Sequence, residues 1–117
     1  MIGFNSLNLD YIIAGGIDEN KSLSKKMYRV FVQDINENIF QTTKQPIILG
    51  KYENLQFCAE ELPDMIATRQ DSSLTVRPTS QGNYQIYIIG GTSSQKAPFI
   101  DVFDSETYEW HSFHPNL

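Results

Sequence analysis

The stretch YQIYIIGGTSSQKAPFIDVFDSETYEW, Tyr84 to Trp110, decides the fold. A run of β-branched and aromatic residues stops at paired glycines, Gly90-Gly91, a strand followed by backbone free to take positive φ. A second apolar run then meets Asp104 and small or polar residues, which is hairpin chemistry: the Asp side chain can cap the turn's backbone N–H groups. The strand resumes with Trp110, an aromatic large enough to fill the space that glycines leave. Upstream, Ser72 to Arg77 reads as a strand and TSQGN, Thr79 to Asn83, as the turn that feeds the glycine strand. The unit is therefore a four-stranded antiparallel meander at about 72–78, 84–90, 99–104 and 108–113.

The same idea occurs earlier. LDYIIAGG, Leu9 to Gly16, ends in Gly15-Gly16 as YQIYIIGG ends in Gly90-Gly91. Downstream lies YRVFVQDINENIF, Tyr28 to Phe40, in which Phe40 follows Asp34 by six residues, just as Trp110 follows Asp104. The copies are offset by 75 residues at the glycines and 70 at the aspartates, a difference that a loop absorbs. This copy supplies strands at about 9–14, 27–33 and 38–43, with most of its opening strand missing.

A strand ending in Gly-Gly, an Asp-led turn and a Trp six residues later, in a unit of about fifty residues, resembles the kelch repeat of β-propellers. LPDMIATRQDSS also resembles the family's entry segment, with Pro63 and Arg69 in the expected places, and Tyr87 matches the aromatic of its second strand. The second repeat, 62–115, matches from Leu62 to Phe113. The first, 1–45, departs from the pattern, with Phe40 for Trp and Ile12 for Tyr. Between them, 46–61 exceeds the family's usual link. Leu49, Tyr52, Leu55, Cys58 or Ala59, and Leu62 recur at roughly helical spacing, which allows one or two short helical turns near 47–60, although Gly50 and Ile47-Ile48 argue against a long helix. This segment reads as a tucked-in surface loop or as an inserted binding loop.

The resemblance implies an all-β chain, a partial kelch-type β-propeller of about two antiparallel blades and roughly seven strands. A closed propeller needs about four to eight blades, so 1–117 is expected to be a single incomplete domain, completed by further blades or by self-association.

Composition excludes several functions. With 117 residues, 40% of them hydrophobic, the chain has material for one core. The net charge of −5 is spread along the chain, which argues against nucleic acid and anionic membranes as partners. No apolar run approaches a membrane span, and a cytoplasmic location is expected. Cys58 is the single cysteine, so neither an internal disulfide nor a cysteine metal cluster can form. His111 and His114 suggest a metal pair, but an odd separation on a strand puts them on opposite faces. Phosphate loops and nucleophile elbows are missing, and Glu60-Glu61 reads as a solvated pair. No cofactor, metal or catalytic residue is expected.

What remains is binding. The resemblance implies a non-catalytic protein–protein interaction module, an adaptor or scaffold. Its loops place candidate partner contacts at Asp18, Glu19 and Lys21, at Ser93, Ser94, Gln95 and Lys96, and at Arg69, whose other role would be a structural bond to neighbouring carbonyls. Gly15, Gly16, Asp34, Phe40, Tyr87, Gly90, Gly91, Asp104 and Trp110 are expected to be scaffold. The alternatives are a piece of a kelch-type enzyme acting on sugars, against which no copper-binding constellation appears, and a remnant without autonomous function.

Overall fold

In the computed structural model, residues 1–6, 9–36, 46–91 and 100–113 are described. They form nine strands: β1 (Ile2–Asn5), β2 (Asp10–Ala14), β3 (Met27–Asp34), β4 (Ile47–Tyr52), β5 (Leu55–Leu62), β6 (Ser73–Pro78), β7 (Tyr84–Ile89), β8 (Ile100–Asp104) and β9 (Glu109–Phe113). All pairings are antiparallel, and the strands make two sheets, β1-β2-β3-β5-β4 and β6-β7-β8-β9. The chain is all-β, with no helix among the described residues.

The second sheet is the meander expected from its sequence, each strand lying within about two residues of its expected span. Asp104 Oδ1 accepts the Glu106 N–H at 2.9 Å, and Asp34 Oδ1 accepts the Asn36 N–H at 2.9 Å. The two aspartates thus close the turns after β8 and β3 in the same way.

The first sheet departs from expectation at three places. Ile2–Asn5 is a strand, so the opening strand is present and pairs with β2, Ile2 opposite Ile13 and Asn5 opposite Asp10. The helical turns expected near 47–60 are instead the β4–β5 hairpin. Ile47, Ile48 and Phe57 prefer a pleated surface, and Glu53, at φ 54, turns the chain back so that Tyr52 faces Leu55. Ile47–Tyr52 and Leu55–Leu62 therefore belong to the five-stranded sheet. Finally, the strand expected at 38–43, with Phe40, lies outside the described residues, and the described partners of β3 are β2 and β5. The β5 pairing runs in register from Met27↔Leu62 to Asp34↔Leu55.

The two sheets share one core. Ile12, Ala14, Met27, Leu62 and Met65 meet Tyr84, Ile86, Ile88 and Phe103, with Leu74, Val76 and Trp110 packed at its margin. Alternation produces this: β2 buries Asp10, Ile12 and Ala14 and exposes Tyr11 and Ile13, while β7 buries Tyr84, Ile86 and Ile88. At Gly3 the sheets come so close that a Cβ would meet Leu74 Cδ2, with Val76 Cγ2 at 3.0 Å. The radius of gyration is 15.3 Å, above the roughly 13–14 Å of a compact domain of this length.

The scaffold glycines do not act as expected. All four have positive φ, from 71° to 94°, but Trp110 packs on Phe103, ring centroids 5.3 Å apart, and not on Gly90-Gly91. The register explains why. Trp110 lies opposite Phe103, which lies opposite Ile86, several residues along β7 from its glycine end. Gly91 is needed instead because a Cβ there would meet Ser72 Oγ and the Gln70 carbonyl.

Candidate functional site

Two buried charge clusters hold the interior. In the first, Arg29 Nη1 donates to Asp10 Oδ2 at 3.0 Å and Nη2 donates to Glu60 Oε2 at 2.8 Å, joining β2, β3 and β5, with the guanidinium 4.2 Å from the Phe31 ring centroid. Burial opposes the charge on Arg29, but its bonds to Glu60 and Asp10 outweigh that, and the guanidinium pKa is raised. In the second, Arg69 Nη2 donates to Asp101 Oδ2 and Nη1 to the Gly90 carbonyl, both at 2.7 Å, while the Ser112 hydroxyl donates to Asp101 Oδ1.

Arg69 therefore does not line a partner face. Its side chain is 1% exposed and is committed to fastening the entry segment to β7 and β8. The sequence reading missed the Asp10–Arg29–Glu60 cluster altogether. The signal was present: Arg29 takes its turn between Met27 and Phe31 on the buried phase of β3, and a charge there needs partners.

The expected loop contacts divide. Asp18, Glu19 and Lys21 are exposed in the β2–β3 connection, but Asp18 Oδ1 is engaged by the N–H groups of Asn20 and Ser22 at 2.9 and 3.0 Å. The connection folds on itself through an Ile17–Leu23 bridge, and Lys21 sits at φ 61. Ser93, Ser94, Gln95 and Lys96 lie outside the described residues, as does His114. Tyr87 stands on the outer face of β7, its hydroxyl donating to Gln85 Oε1 at 2.7 Å. Glu60 belongs to the buried cluster, while Glu61 bridges to Lys26 at 2.9 Å.

Little here supports chemistry. Among the described residues no group of three or more His, Cys, Asp or Glu is placed to hold a metal ion. Cys58 is buried, and desolvation raises its thiol pKa, the opposite of an activated thiolate. The recess of about 350 Å³ beside Arg29, lined by Asp10, Glu60, Asn83, Tyr84 and Ser105, brings together acids already committed to the guanidinium and a Tyr84 whose pKa burial raises well above the usual phenol value. No helix among the described residues is long and apolar enough to cross a membrane.

The feature that stands out is the outer face of the first sheet. Its rows follow from the register: Ile2, Ile13 and Tyr28, ending at Glu61, then Phe4, Tyr11, Val30, Ala59 and Ile47, then Val32 and Phe57. Phe4 and Tyr11 stack at 4.9 Å. A shallow apolar groove of about 340 Å³ runs among Ile13, Tyr28, Val30, Ile47, Leu49 and Ala59. Ile2 is 68% exposed, Tyr11 48% and Ile47 52%, values for side chains that strands normally bury. Isolated apolar residues on a surface need no explanation, but a continuous apolar row across five strands does.

Compared with known proteins, the chain matches no family model, no curated protein and no solved structure.

Proposed function

We propose that the chain is a non-catalytic protein-interaction module, a pair of kelch-like propeller blades that docks protein through the outer face of its first sheet. The observation that carries this reading is the unbroken apolar middle row of the outer face, Phe4, Tyr11, Val30, Ala59 and Ile47 across five strands. The kelch-like reading is supported by two antiparallel sheets sharing a core, each with a glycine-ended second strand and an Asp-closed turn after its third. In a propeller such a face is covered by the neighbouring blade. The test is site-specific photo-crosslinking in cells, with benzoylphenylalanine at Tyr11 and, as control, at Tyr87 on the other sheet. Protein adducts at Tyr11 and none at Tyr87 are expected; adducts at neither position, or only at Tyr87, would overturn the reading.

A further inference from the structure

We infer that the occupant of this face is a second copy of the chain, the two first sheets meeting face to face about a two-fold axis. The inference rests on the docking role proposed above and adds the identity of the partner.

Three observations select it. The first is area: side chains from Ile2 to Phe57 on this face present on the order of 800 Å², what one partner contributes to a standard-size interface. The second is the lack of a match elsewhere on the molecule. The inner face of each sheet is already used in the shared core, and the outer face of the second sheet is mixed: Ser73, Ile89, Ile100 and Phe113 form one row, Thr75, Tyr87, Val102 and His111 the next, and Arg77, Gln85, Asp104 and Glu109 a charged third. Stacking head to tail would press apolar side chains of one copy onto the Arg77–Glu109 row of the next and desolvate those charges without partners. The apolar face is thus complementary to itself, which is the condition for an isologous, closed contact.

The third is where the charges lie. The middle row, Phe4 to Ile47, contains no ionisable group apart from the Tyr11 phenol, and Glu61, at the β5 end of the adjacent row opposite Tyr28, is paired with Lys26. The −5 charge of each chain opposes association from a distance but is not buried by it. Salt should therefore strengthen the dimer by screening that repulsion, whereas it would weaken a contact built on ion pairs.

Sedimentation equilibrium of the purified chain tests this. Twice the 13.4 kDa chain mass is expected at micromolar concentration, with dissociation weakened further by 0.5 M salt. The double variant Tyr11→Lys/Ile47→Lys should weaken association by about 100-fold or more, as two buried unpaired charges require. Both side chains face water in the single copy, so its circular dichroism should not change. Thr75→Lys on the other outer face should leave the dimer intact. A monomer at 100 μM, open-ended oligomers, or a dimer untouched by the double variant would each overturn the inference. A monomer that still crosslinks to another protein from Tyr11 would do so while leaving the docking role standing; a monomer without crosslinks would remove both.

Discussion

The middle row of the first sheet's outer face reads Phe4, Tyr11, Val30, Ala59, Ile47; the equivalent row of the second reads Thr75, Tyr87, Val102, His111, flanked on one side by Ser73, Ile89, Ile100 and Phe113 and on the other by Arg77, Gln85, Asp104 and Glu109. Inside, the sheets are alike: each buries alternate apolar residues and each encloses an arginine held by carboxylate. The difference is confined to the side turned away from the core. The two sheets thus solve the same interior problem, while charged side chains fill a whole row of the second sheet's outer face and reach the first sheet's outer face only at its ends, at Glu61 and Asp34. The first sheet carries apolar rows on both faces, the pattern of strands that are covered on both.

Attacking the shared interior should have the largest effect. Replacing Arg69 by Met leaves Asp101, 2% exposed, without its guanidinium, and a loss of about 3–5 kcal/mol in urea unfolding is expected. Arg69→Met/Asp101→Leu should recover much of it, because the charge is then removed and not stranded. A single-variant loss below about 1 kcal/mol would mean that this buried pair does not fasten the second sheet.

The glycine pairs separate the sheets more finely. Gly91→Ala must place a methyl against Ser72 Oγ and the Gln70 carbonyl at φ 80°, whereas Gly16→Ala at φ 94° meets nothing within 4 Å. A cost of about 1 kcal/mol is expected at Gly16 from backbone strain alone and about 2 kcal/mol or more at Gly91. Equal thermal shifts in the two variants would contradict the close approach at the second sheet's glycine end.

A smaller effect marks the junction between the sheets. Burial raises the Tyr84 pKa above the usual value near 10, so the folded chain keeps its proton while the unfolded chain loses it. Stability from this group is complete below pH 10 and falls as pH rises beyond it, by about 1.4 kcal/mol per pH unit. Cys58, raised by desolvation from its usual 9.0, adds a loss beginning about one unit lower. Tyr84→Phe should flatten the decline above pH 10, followed by urea unfolding at pH 9, 10 and 11; an unchanged slope would place the alkaline sensitivity elsewhere.

The second sheet was legible in the sequence almost strand by strand, because Gly90-Gly91, TSQGN and Asp104 punctuate it with residues whose backbone preferences are strong. The β4–β5 hairpin was not. Leu49, Tyr52, Leu55 and Leu62 fall at helical spacing by coincidence, and the turn uses Glu53 at φ 54 where an Asn-Gly or Asp-Gly pair would have announced it. The buried cluster was hidden for another reason: Arg29 meets Asp10 and Glu60 across separations of 19 and 31 residues, and pairing at that range follows only from strand order. The apolar outer face could have been suspected from MYRVFVQD, where Tyr28, Val30 and Val32 give β3 a second apolar side. Only the register shows that its neighbours on β1, β2, β4 and β5 extend that side into one surface.

The contrast between the two outer faces is tested most directly by hydroxyl-radical footprinting of the purified chain across a thousandfold dilution series. Tyr11 and Phe57 should be protected at high concentration and become reactive on dilution, while Tyr87 and His111 stay equally reactive throughout. Side chains of both outer faces that react alike at every concentration would contradict a first sheet built to be covered.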